Sequence, residues 1–378
     1  MSEPDVAVKE GLATVGLSER EFCGVRDHAR LLTAQLEREG TGCATHWLDL
    51  DPLAGLRASR RRVLDFDAAL PATLARERTR AVLLHYSVFA FSHRGLPLYV
   101  HPTVGALRRA GVPVVAILHE VAFNWPERPE PRAIAWAASQ RAAAFDVVRA
   151  SSALLATADF RAEWLRSRRW LPRRPIRVAP VFSNLPLSAE RPAAGHVLGL
   201  FGWALAPDAR ELVLGALAGV RRRLPVELRL LGAPGEESEG AASWRHDAER
   251  HRVADALSFS GALPAQELAD ELARADVLLY ADPTGPAGRK GTLAGDLAAG
   301  RPLIALEGRR TWRALEESGA VIVVPRAADA LAAAVLELFG DAPRREEMGA
   351  LAAGFYAREM AVERTASAVR ELLAEARG

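Results

Sequence analysis

The sequence is poor in the residues that organise many small or metal-bound folds. Its 378 residues include two cysteines, Cys23 and Cys43, with no CxxC spacing or His/Cys cluster beside either. That excludes a disulfide framework and a cysteine zinc set, and both read as free thiols. Of 49 basic residues only Lys9 and Lys290 are lysines, so a chemistry that needs a Schiff-base lysine has two candidates. No apolar run approaches the ~18 residues of a membrane span. The start, MSEPDVAVKE, lacks the charged-then-apolar order of a secretory signal, so a cytoplasmic protein is expected, compatible with peripheral membrane contact. A net charge of +2 makes no electrostatic case for nucleic acid, because acidic residues balance the clusters Arg60–Arg62, Arg168–Arg169, Arg173–Arg174 and Arg221–Arg223. GxxxxGK[ST] and GxGxxG are absent. The pair His119-Glu120 is not the start of HExxH, since Phe123 stands where the second histidine belongs, and no metal is expected.

What is present is an alternation of short apolar runs with longer segments of helical period, the pattern of parallel βαβ units. Strands are expected at 11–17, 43–50, 81–86, 112–119, 153–157 and 176–182, then at 197–203, 226–232, 257–261, 277–281, 303–306 and 321–324. Helices are expected at 26–39, 96–110, 134–150, 209–222, 264–275, 327–339 and 362–376. The segment LPLSAERPAAG, Leu185 to Gly195, interrupts both periods. The expected organisation is an N-terminal domain over 1–185, a C-terminal domain over 186–361 and a terminal helix over 362–378 that packs back toward the first. Two doubly wound sheets facing across a cleft would place ligands in the loops after the strands.

Those loops hold the candidate chemistry. The first, SEREFCGVRDHA, carries Gly24 for close backbone approach, Arg26 and His28 for charge and proton transfer, and Asp27 as a helix cap. After the third strand, HYSVFAFSHRGLPLYVHP is dense in histidine and aromatics for a chain with 6% aromatics. His85 and Tyr86 fit either an acceptor wall or the core. After the fourth strand come His119 and Glu120, a pair suited to polar catalysis, with a satisfied buried histidine as the plain reading of His119. Arg168–Arg174 with Trp164 and Trp170 reads as an anionic or membrane contact, or as a helix end and solvated turn. In the second half, Gly202 and Arg210 flank a strand-to-helix turn and Gly232 ends the next strand. Finally GPAGRKGTLAGDLAAG, 285–300, places Gly288, Arg289, Lys290, Gly291 and Thr292 between a buried strand and a helix. Backbone N–H groups, the helix dipole and a basic side chain there suit a phosphate.

The order of these segments resembles glycosyltransferases of the GT-B fold, most closely the retaining group called family 4. It is carried by CGVRDHARLL, HRGLP, the HE pair, VFSN, the FG turn at Phe201-Gly202, LLG at 230–232, SFSGALP, ADVLLYADP and LAAGRPLIA. The resemblance implies two Rossmann-like domains, an N-terminal one for the acceptor and a C-terminal one for a nucleotide-sugar donor. It implies that Gly24 and Gly202 approach the diphosphate, that His119 lies against the donor sugar, and that Arg26, Asp27 and His28 face the acceptor or the transferring sugar. No cofactor is implied beyond the nucleotide-sugar co-substrate; the acceptor would be a small molecule, a lipid-linked compound or a glycan.

Two departures accompany the resemblance. Where family members carry an arginine and a lysine after the Gly202 position, this chain has Trp203 and Ala209, with Arg210 adjacent. Where they carry two glutamates with seven residues between them, it has Ala287 and Gly295, and Arg289-Lys290-Gly291-Thr292 looks like the RRGT variant of that loop. The expectation is metal-independent sugar transfer to an acceptor hydroxyl. Arg289 and Lys290 would stabilise the leaving diphosphate, and His119 would orient the sugar. The alternatives are a catalytically silent partner of another transferase, or a GT-B phosphorylase or epimerase.

Overall fold

The computed structural model describes residues 11–18, 23–51, 53–93, 95–122, 125, 130–192, 195–202, 205–232 and 235–376. Lys9, Trp203 and the loop residues 19–22, 94 and 123–124 lie outside them. The chain divides into two compact units, Met1–Pro180 with Val362–Gly378, and Val181–Ala361. The unit change falls just ahead of the Leu185–Gly195 segment. VFSN goes with the second unit because the Val181 N–H donates to the Gly288 carbonyl at 2.7 Å and the Ser183 N–H to the Tyr356 hydroxyl at 3.4 Å.

The first unit begins β1 (Leu12–Ser18), α1 (Gly24–Arg38), β2 (Cys43–Asp49), α2 (Leu56–Arg76), β3 (Ala81–Ser87), α3 (Val100–Ala110) and β4 (Val114–Glu120). It continues α4 (Pro131–Ala150), β5 (Ala153–Ala156), α5 (Asp159–Ser167) and β6 (Ile176–Val178). Its six strands are parallel in the order β2-β1-β3-β4-β5-β6. β1 and β3 are buried at every residue, as near-continuous apolar runs must be in a sheet covered on both faces, whereas β2 at the edge is only partly covered.

The second unit runs β7 (Val197–Phe201), α6 (Pro207–Arg221), β8 (Glu227–Leu231), α7 (Glu239–His251), β9 (Leu257–Phe259), α8 (Ala265–Arg274) and β10 (Val277–Tyr280). It is completed by α9 (Gly291–Ala298), β11 (Leu303–Leu306), α10 (Arg313–Glu317), β12 (Ile322–Val324), α11 (Ala328–Gly340) and α12 (Ala342–Phe355). Its sheet is also parallel, in the order β12-β11-β10-β7-β8-β9. The last helix, α13 (Val362–Glu375), belongs to the first unit, where it packs on α1 and β5. Glu39 binds Arg370 there, and Arg177 binds Glu371 and Glu375.

In each sheet the strand order reverses once, between β1 and β3 in the first and between β7 and β10 in the second. Connections leave in opposite directions at such a point, which opens a crevice beyond the carboxyl ends of the strands. The α/β architecture of two doubly wound parallel sheets is therefore as expected, and each unit carries one such crevice. The helix expected at 96–110 is shorter, α3 starting at Val100. The basic-aromatic run after α5 folds on itself, with Trp164 and Trp170 edge to face and Arg168 over the Trp164 ring.

Candidate functional site

In the second unit the reversal point brings together the turn after β7 and the loop after β10. β10 is a buried VLLY run; beyond it the chain crosses to Lys290, the N-cap residue of α9, whose side chain makes no capping bond. The first amides of α9 thus lack a side-chain acceptor, the condition under which a helix start receives an anion. A Cβ built on Gly291 would meet no described atom within 4 Å, so this end is open. Gly202, at φ 90°, closes the other side: a Cβ there would lie 3.2 Å from the Thr292 methyl. Only glycine combines that backbone angle with that approach.

The two cations of the loop are held by Asp282. Lys290 Nζ lies 2.6 Å from its carboxylate and the Arg289 guanidinium 3.6 Å, while Arg289 also donates to Thr284 Oγ1 at 3.1 Å. Burial pushes the Asp282 carboxyl up, but hydrogen bonds from Lys290 and Thr284 outweigh it and hold it below the ordinary range. Both cations stand beside the open helix end. Deeper in α9, Asp296 is wholly buried with neither carboxylate oxygen bonded, and burial raises its pKa well above the usual value.

Three expectations about this unit are corrected. Arg210 does not reach the phosphate cradle: it forms an ion pair with Asp247 and lies over the Trp244 ring, in the α6–α7 contact. Gly232 bends the chain at φ 94°, an angle that favours glycine, and a Cβ there would meet the Phe201 ring at an ordinary 3.6 Å, so the glycine serves the turn that ends β8. At Gly295 a Cβ would meet Phe201 at 3.1 Å and Leu185 at 3.6 Å, and Ala287 is buried. Phe201 occupies the space into which a longer side chain at Gly295 would extend. Gly288 has its carbonyl engaged by Val181 and so shapes the loop.

In the first unit three histidines meet at the sheet's carboxyl edge. His28 comes from the start of α1, His85 from β3 and His119 from β4. His85 Nδ1 and His119 Nε2 are 3.2 Å apart, the rings of His85 and His119 are stacked at 5.4 Å, and His28 sits edge-on to His119 at 4.8 Å. The β3–β4 register explains how His119 comes to be there. Tyr86 pairs with Leu118 but Ser87 with Glu120, so His119 is the extra residue of a bulge, a device that re-aims a side chain. All three rings are buried, at 2%, 0% and 8% exposure for His28, His85 and His119. Burial lowers the His28 pKa to about 3 and takes those of His85 and His119 well below the usual value. The rings are neutral at pH 7.

Burial corrects the acceptor assignments. His28 and His85 are enclosed, and Tyr86 points into the core beside Phe91 with its hydroxyl unbonded. Glu120 is paired with Arg161 at 2.8 Å and Arg26 with Asp49 at 2.8 Å. Asp27 is not the cap of α1; the N-cap is Cys23, and Asp27 stands in the first helical turn, where its charge suits the dipole. Gly24 opens α1 and is exposed, and His119 lies at the carboxyl end of β4 and is buried. Asp282 is a site residue that sequence reasoning missed; its signal was an acid two residues past a buried strand and ahead of a basic pair. The histidine trio was missed as well, because its members lie in three separate elements.

Residues 195–341 match the family model of glycosyl transferases group 1. No curated protein sequence matches the chain. Among solved structures, a glycosyltransferase from Rickettsia africae is similar over 97% of this chain and 98% of its own, at 11% identity and a TM-score of 0.72. Sucrose-phosphate synthase from Thermosynechococcus elongatus is similar over 96% and 98%, at 15% identity and 0.66. HepE of Anabaena, solved with UDP and glucose, is similar over 97% and 99%, at 15% identity and 0.64. The fold is the GT-B glycosyltransferase fold, and with the group 1 match it indicates a glycosyltransferase. No helix among the described residues is long and apolar enough to cross a membrane.

Proposed function

We propose that the protein transfers a sugar from a nucleoside-diphosphate sugar to an acceptor hydroxyl, with retention of configuration and without a metal bound to the diphosphate. The observation that carries this reading is the convergence of Gly202 and Thr292 on the open start of α9, beside Arg289 and Lys290. As the glycosidic bond to the diphosphate breaks, negative charge grows on the leaving oxygen. Amides of Gly291 and Thr292, the helix dipole and the two cations would meet that charge without reorganising. Lys290 would exchange its bond to Asp282 for a phosphate oxygen, and Arg289 would stay braced by Thr284. His119, neutral at the rim of the first sheet, would orient the transferring sugar by hydrogen bonding. The acceptor is a small molecule, a lipid-linked compound or a glycan.

A thermal-shift screen against nucleoside diphosphates and their sugars tests the reading, since a ligand of the native state raises the melting point. The matched nucleotide-sugar should raise it, and Lys290→Ala should then lower transfer by more than about tenfold, near the smallest loss expected for a charge-stabilising donor. Near-normal turnover in Lys290→Ala would sink the assignment. The filled Gly295 position favours a second reading, a catalytically silent partner of another transferase. Failure of every nucleotide-sugar to bind would favour it.

A further inference from the structure

We infer that His28, His85 and His119 form a binding site for one first-row divalent cation of the zinc class. The three side chains each offer a ring nitrogen, and these atoms lie within 4.8 Å of one another. A tetrahedral site with metal–nitrogen bonds of about 2.0–2.1 Å has nitrogen–nitrogen edges of about 3.4 Å. One such edge is already present, at 3.2 Å between His85 Nδ1 and His119 Nε2. Drawing the widest separation down to that edge needs ring movements of roughly 1 Å, within reach of small side-chain rotations.

The chemistry of the cluster agrees. Each ligand is a ring nitrogen of a buried imidazole, drawn from a different element. Three imidazoles and no thiolate suit zinc, copper or nickel rather than calcium or magnesium. Arg161, beside His119, would oppose a cation, but its charge is answered by Glu120. The ligands come from α1, β3 and β4, so a bound ion would tie these elements together and fix the ring of His119. Its fourth position would be open to water or to an oxygen of a ligand.

The metal site shares His119 with the sugar-transfer reading, but its test uses no sugar and reads metal binding alone. The full chain, stripped with chelator, is dialysed against Zn²⁺ alone and metal is measured per chain; Co²⁺ is then substituted and its absorption spectrum recorded. The expected result is on the order of one Zn²⁺ per chain and a tetrahedral Co²⁺ spectrum. In His85→Gln/His119→Gln, binding should weaken by more than about 100-fold, since loss of even an outer partner costs 10–100-fold. A wild-type chain that retains far less than one equivalent overturns the proposal whether or not the variant folds. So does a folded variant, by circular dichroism, that binds as the wild type does.

Discussion

The two units solve one geometric problem with opposite chemistry. Each sheet reverses its strand order once and gathers its polar residues there, but the first gathers three buried neutral histidines and the second two cations around a carboxylate at an open helix start. The first cluster is buried, which lowers the pKa of each ring; the second stands at an open helix start. On the proposed function the first edge orients the sugar and the second binds the diphosphate, although both sheets are doubly wound.

The sharpest way to break it is at the binding edge. Arg289→Ala/Lys290→Ala should lower sugar transfer by about 10²–10³-fold, the range for loss of a preorganised charge-stabilising group, with the melting point little changed. Steady-state kinetics beside thermal melts would read this, and comparable losses of stability and activity would mean the cations are structural. Gly202→Ala attacks the same edge through the backbone. An alanine at φ 90° beside Thr292 costs about 1–2 kcal/mol and pushes the turn off α9, so donor affinity should fall by about tenfold in a titration.

Acidification separates the units by sign. His28 has a folded pKa of about 3 against 6.5 for a solvated histidine, and His85 and His119 shift the same way. The unfolded chain therefore binds more protons over that window, and the stabilisation present above pH 6.5 is lost as pH falls below it. Asp67 works against this: burial raises it from 3.8 to about 7, so its contribution is present at low pH and lost as pH rises through 7. Three rings against one acid leave the first unit weakened by acid, at up to about 1.4 kcal/mol per pH unit for each uncompensated group. Asp296 gives the second unit the opposite trend, since its raised pKa makes it most favourable when protonated. Hydrogen exchange from pH 7 to pH 5 should loosen β3 and β4 but not β10 and α9; equal loosening would break the distinction. The smallest effect is expected from Tyr86→Phe, which removes a hydroxyl with no partner and should leave stability within about 0.5 kcal/mol and transfer unchanged in the same assays.

What the sequence discloses about this fold follows from burial. Among the described residues the central strands stand at apolar runs such as VLLY and LIAL, because a strand covered on both faces must be apolar almost throughout, whereas the edge strand β2, CATHWLD, is mixed. Helices were legible only where an apolar stripe recurred. α2 was hidden by its arginines and by Pro71, with only Val63, Leu70 and Leu74 among its buried apolar residues. α7 buries Ala241, Trp244, Asp247 and Ala248, a face too mixed to read as hydrophobic. The loop ahead of α9 stood out in the sequence because glycines and a rare lysine mark it locally. The histidine trio did not, because no spacing rule links α1 to β3 and β4, and because the bulge that turns His119 inward is a property of pairing.

The start of α9 as the diphosphate site is the central claim, and calorimetric titration of a nucleoside-diphosphate panel into wild type and Lys290→Ala tests it most directly. The expected result is that one diphosphate binds the wild type and binds Lys290→Ala more than about tenfold more weakly, with the difference shrinking as salt screens the charge. Equal affinity for both proteins, or a diphosphate site that survives loss of Lys290 without salt dependence, would contradict it.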